Sequence, residues 1–115
     1  MRELRTREEI DAALADSGVI FKHSNRCPVS YDAYNEVARF ELMHPEVPVH
    51  LLDVVLFRSL ARHVADVTGI GHHSPQVIVV KEGIIQWHGS HYAINALVLE
   101  RHVAGTQSAS AEEQS

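Results

Sequence analysis

The chain's chemistry starts from one residue, Cys27, its only cysteine. Cys27-Pro28-Val29-Ser30 puts a thiol at the head of a helix, with Pro28 in the favoured first helical position. A thiol there faces backbone N–H groups that lack a helical partner, those of Val29 and Ser30, and the positive end of the helix dipole. Lys22 and Arg26 lie close by in sequence. Each of these favours thiolate, the nucleophilic form. Cysteines in such settings titrate at about 3.5–7.5, against ~8.5 unperturbed. The alternative is a small buried apolar residue. The polar turn Ser24-Asn25-Arg26 before Cys27, and Pro28 after it, argue for the reactive setting.

Ser30 decides what such a thiol could do. In Cys-x-x-Cys enzymes the second thiol attacks the mixed disulfide and releases the product. Here that place holds a hydroxyl, and there is no other thiol. A mixed disulfide on Cys27 must therefore be resolved by a second molecule, a low-molecular-weight thiol. The simpler role for Ser30 is hydrogen bonding within the first helical turn. Both roles are compatible.

Imidazoles form the second group, as His72-His73 and His88-x-x-His91. Zinc needs four ligands, so these pairs would bind it only if the fold brought them together. The simpler reading is hydrogen-bonded loop and cap histidines, and we expect no metal. Ser74-Pro75-Gln76 opens a strand. Only about 5–6% of X–Pro bonds are cis, so base rate alone favours a trans Pro75.

The surrounding elements read as follows. Thr6-Arg7-Glu8-Glu9 has the form of a capping box, and Ile10, Ala13 and Leu14 share a helical face behind it. Val19-Ile20-Phe21 is a buried strand reaching to about His23. Val29, Ala33, Val37 and Phe40 give the helix that starts at Cys27 and ends near Met43, before Pro45 and Pro48. Val49–Val54 is a second strand. Leu60, Val64 and Val67 mark a helix closed by Gly69. Gln76–Val80 is the strongest strand, and Lys81-Glu82-Gly83 turns it into Ile84–His88. Ser90 is placed to cap a last helix carrying Ile94, Leu97 and Val98. The expected fold is α/β: a four-stranded mixed sheet with a right-handed βαβ unit and helices on both faces. Residues 1–103 form one domain, and 104–115 read as a disordered tail.

Composition narrows the function. The chain has 115 residues and a formal charge of -5. Nucleic acid is an unfavoured partner, because phosphate binding needs a basic face. No segment approaches the ~20 apolar residues of a membrane span. Protonating all 9 histidines would take the charge from -5 to +4. One cysteine allows no internal disulfide, and no secretory signal is seen. We expect a protein of the reducing cytoplasm.

Three segments together resemble the YtxJ-like family, the monothiol bacilliredoxins. They are His23-Ser24-Asn25-Arg26-Cys27-Pro28-Val29-Ser30, Gly71-His72-His73-Ser74-Pro75-Gln76, and Trp87-His88-Gly89-Ser90-His91-Tyr92. The resemblance covers nearly the whole chain up to the tail. It implies a thioredoxin-like fold and removal of bacillithiol from S-bacillithiolated client proteins. Bacillithiol is then a co-substrate, with no tightly bound cofactor. It also implies Cys27 as the attacking thiol and Pro75 as a cis-proline facing it, with Ser74 offering backbone groups. Arg26, Pro28, Ser30, His72 and His91 are candidate substrate contacts, and His23 and His88 are candidate contacts to the small thiol. Arg58-Ser59-Leu60-Ala61 departs from the Arg-Pro-Leu-Ser expected there, and His73 stands where an acidic residue is common. Two rival functions remain. Monothiol glutaredoxins share the Cys-x-x-Ser spacing, and some carry iron–sulfur clusters, but they have Gly-Phe where Pro28-Val29 stands. An inert thioredoxin-like binding module is the other.

Overall fold

The computed structural model describes residues 1–104. The expected tail therefore lies outside the described residues, except for Ala104, which is helical. The chain runs β1 (Arg2–Glu3), α1 (Arg7–Ala15), β2 (Gly18–His23), α2 (Pro28–Met43), β3 (Val49–Asp53), α3 (Arg58–Thr68), β4 (Gln76–Lys81) and β5 (Ile84–Ser90). A 3-10 turn, His91–Ala93, follows. Helix α4 spans 96–104.

The sheet order is β1-β3-β2-β4-β5. β2, α2 and β3 make the expected parallel βαβ unit, and β4 and β5 add antiparallel strands. The sheet has five strands, not four. The extra one is β1, two exposed polar residues paired parallel with β3. Backbone hydrogen bonds alone make this strand, so no apolar alternation announces it.

Side-chain alternation along β2 divides the core. Val19 and Phe21 join Val77 and Val79 beneath Ala33, Val37 and Phe40 of α2 and Leu99 of α4. Ile20 joins Leu52, Ile78 and Val80 beneath Ile10 of α1 and Leu60 and Val64 of α3. Each fully buried side chain of this size contributes about 1.5–3 kcal/mol relative to exposure. This two-sided burial holds β2 and β4 rigidly in the centre, and the residues just beyond their upper ends inherit that rigidity.

The local signals behave as their chemistry requires. Thr6 Oγ1 accepts from the Glu9 N–H at 3.1 Å. The Glu9 carboxylate takes the Arg5 N–H at 2.8 Å, and that bond holds its pKa below the usual value. Gly69 closes α3 in the left-handed region, at φ 73°. The last helix differs from expectation. Strand β5 continues through Ser90, whose side chain caps nothing. Asn95 starts α4 instead, its Oδ1 accepting from the Val98 N–H at 2.9 Å. The β5 extension is fixed by cross-strand pairing of Ser90 with Gln76, a long-range contact.

Candidate active site

Register brings the chemical residues to one edge of the sheet. Lys22 on β2 pairs with Gln76 on β4. Cys27 lies five residues beyond Lys22, and Pro75 immediately precedes Gln76. The cysteine loop and the Pro75 loop thus leave the two central strands side by side. That is the carboxyl edge of β2, where ligand sites of open α/β sheets gather.

Cys27 is the N-cap residue of α2, partly exposed, with Pro28 at the first helical position. One sequence expectation changes. The Ser30 N–H bonds the Cys27 carbonyl at 3.0 Å, so it is not a free donor for the thiol. Pro28 has no N–H. The N–H of Val29 is therefore the donor left at this helix end.

Ser30 is fully buried. Its oxygen accepts from the Ser24 N–H at 3.0 Å and lies 2.8 Å from His23 Nδ1. A serine hydroxyl both donates and accepts, so the sense of the Nδ1 bond follows the imidazole tautomer. This is the local hydrogen-bonding role, and it ties α2 to the end of β2. His23 is itself buried, against the rings of Phe21, Tyr31 and Tyr34. Burial lowers its pKa, against an opposing pull from Asp53.

The Ser74–Pro75 bond is cis, as the resemblance implies and against the base rate. Ser74 Oγ is buried without a hydrogen-bond partner. The Pro75 carbonyl accepts the His91 N–H at 3.1 Å. His91 sits at φ 54°, a left-handed conformation unusual for a residue with a Cβ. Its exposed ring meets that of His73 edge-on, with centroids 6.1 Å apart. The structure therefore brings exposed His73 and His91 together beside the buried cis-Pro75. His72 is exposed on the same loop, and burial of its ring atoms and the charge of Lys22 lower its pKa. Arg26 and Pro28 are exposed on either side of Cys27, and His88 is exposed on β5. Among the described residues, no three His, Cys, Asp or Glu side chains are grouped so as to hold a metal ion.

Sequence reading missed one feature. Lys22 is fully buried, and its Nζ donates to Gln76 Oε1 at 2.7 Å. The Gln76 amide donates in turn to the Gly71 carbonyl at 3.0 Å, where the Pro75 loop begins. Burial of Lys22 was signalled, since it shares a face of β2 with Ile20, but its partner on β4 was not.

A family model described as monothiol bacilliredoxin BrxC matches residues 2–99. The chain belongs to the monothiol bacilliredoxin family. Solved structures similar to this bacilliredoxin-family chain share its fold. A candidate oxidoreductase with a thioredoxin fold is 25% identical, with a TM-score of 0.81 over 88% of this chain and 91% of its own. The oxidised mitochondrial thioredoxin 3 of Saccharomyces cerevisiae is 16% identical, with a TM-score of 0.71 over 91% and 94%. The thioredoxin of Trypanosoma brucei brucei is 10% identical, with a TM-score of 0.73 over 92% and 89%. The bacilliredoxin family and this fold make the protein a thiol–disulfide oxidoreductase of thioredoxin-like architecture. Among the described residues, no helix is long and apolar enough to cross a membrane.

Proposed function

We propose that this protein removes bacillithiol from protein mixed disulfides through Cys27, in a reducing cytoplasm. The observation carrying this reading is the partly exposed Cys27 at the head of α2, with the fully buried Ser30 in the resolving position. Such a site accepts a thiol adduct and holds no thiol of its own to expel it.

The Cys27 thiolate attacks the bacillithiol sulfur of a modified client. A new S–S bond forms, the old one breaks, and the client sulfur leaves as thiolate, taking a proton from solvent. Free bacillithiol, as thiolate, then attacks the adduct. It leaves as bacillithiol disulfide and restores the Cys27 thiolate. Rates follow thiolate fraction, nucleophilicity and the leaving thiol's pKa. His73, His91, Arg26 and His72 offer donors around the thiol for the carboxylates of the adduct. Ser74 offers backbone groups to the bound disulfide, and cis-Pro75 faces it.

Intact-mass analysis tests this. Reduced protein is mixed with a bacillithiolated client and, in parallel, a glutathionylated one. The expected result is a bacillithiol adduct on Cys27 with client released, and no transfer by Cys27→Ser. Uptake of glutathione alone would overturn the thiol assignment. Transfer by Cys27→Ser would overturn the mechanism.

A further inference from the structure

Lys22 is a buried cation. Lysine is almost never fully buried unless paired with a charge. Here the ammonium is fully buried, and its hydrogen-bond partner is the neutral amide oxygen of Gln76. No carboxylate among the described residues forms an ion pair with it. Among the described residues, the elements next to it bring no counter-charge. β3 sets Leu52 in register with Lys22, and β4 supplies Gln76. The loop before β4 supplies His72, which feels the lysine as a repelling charge. α3 carries Arg58 and Arg62 around the surface hollow that His72 shares. Asp53 acts on His23 and spends Oδ1 on the N–H groups of Val55 and Leu56. Burial lowers the lysine pKa to about 8.

A well-packed apolar residue would stabilise this position more than an unpaired charge. Its location suggests what the charge does. Lys22 and Gln76 are the last paired residues of the two strands that deliver Cys27 and Pro75. Gln76 also holds the Gly71 carbonyl, so one chain of hydrogen bonds runs from the cysteine strand to the far end of the Pro75 loop. The ammonium is a stronger donor to Gln76 than a neutral group, and it fixes which way the amide points.

We propose that Lys22 is a positioning residue for the Cys27 reaction: as an ammonium it orients Gln76, which clamps the loop 71–75 beside the cysteine. This rests on Cys27 being the nucleophile. It adds a residue that never touches the substrate but sets where the substrate-facing loop sits.

The test is the rate of transfer to Cys27 in the full chain, over about pH 6 to 10, divided by the Cys27 thiolate fraction measured on the same sample. The wild-type rate is expected to fall as pH rises through about 8, where the lysine loses its proton. Lys22→Met should remove that limb and slow transfer at neutral pH by roughly 10–100-fold, the scale for displaced reacting groups. Gln76→Leu should slow it similarly, and the double variant should be no slower than either single, because the two share one contact. A flat wild-type profile would overturn the proposal, as would a Lys22→Met rate within about twofold of wild type. If Lys22→Met fails to fold, Gln76→Leu decides through the same hydrogen-bond chain: a rate within about twofold of wild type overturns the proposal. A small aromatic disulfide is run beside the bacillithiolated client. If only the client fails to react, the bacillithiol reading falls while the limb is still read with the aromatic disulfide.

Discussion

The same lysine gives a stability prediction with a defined sign and window. Lys22→Met removes the charge while keeping a long, unbranched side chain. Folding lowers the lysine pKa from 10.5 to about 8, through burial. A gap of about 2.5 in pKa corresponds to about 3 kcal/mol. Below about pH 8 the group is protonated in both states, and folding bears the whole cost of burying it. Between about 8 and 10.5 the unfolded chain binds more protons than the folded one, so stability rises with pH. Above that window the group is neutral in both states and the cost is gone. The Met variant has no such window. Wild type should therefore gain about 3 kcal/mol on Lys22→Met between neutral pH and about pH 10.5. A second effect is independent of pH: the variant leaves Gln76 Oε1 buried without its donor, at about 1–3 kcal/mol. This shifts the whole difference curve without changing its slope. Urea unfolding followed by far-UV circular dichroism, on both proteins at matched pH, reads the difference directly. A difference that stays constant with pH, or that moves in favour of the variant, would refute the reasoning.

Other perturbations follow from the same geometry. Gly89→Ala would set a Cβ 2.4 Å from the Trp87 ring; it should cost about 1–3 kcal/mol, the range for overpacking, read by calorimetry. Ser30→Ala strips the Ser24 N–H and His23 Nδ1 of their shared partner. It should cost about 1–3 kcal/mol and loosen the loop that carries Cys27, seen as faster amide exchange at residues 24–27. His44 links Glu100 and Glu46, and the Glu100 bond chiefly raises its pKa. That stabilisation is complete below the ordinary histidine pKa and is lost as pH rises through the higher folded value. His44→Gln should therefore lower the melting temperature most in mild acid and progressively less toward alkaline pH.

What the sequence reveals depends on whether a feature is local. The cysteine helix, β2, β4 and the Gly69 cap were legible because apolar spacing, Pro28 and glycine act within a few residues. β1 was not, because Arg2 and Glu3 contribute only backbone to the sheet. The start of α4 was misread because Ser90 and Asn95 are both good helix caps. The choice between them is made by β4, which keeps Ser90 in the sheet. The cis state of Pro75 came from family likeness, since base rate pointed the other way. At the site, Cys27 was readable from its neighbours. The inward turn of the Ser30 hydroxyl and the Lys22–Gln76–Gly71 chain were not. They depend on which strand lies next to which.

Trp87, the chain's single tryptophan, lies face to face with His102 of α4, with ring centroids 4.5 Å apart and planes 10° from parallel. Register places it beside Val79, and through Val79 beside Val19, at the end of the sheet away from Cys27. Its emission is therefore an optical gauge of whether the C-terminal helix is seated, uncluttered by other indoles. Adduct formation on the thiol and undocking of that helix can then be followed in one cuvette as separate signals. A client that disturbs the far end of the molecule would register there even where the mass of the cysteine adduct is unchanged.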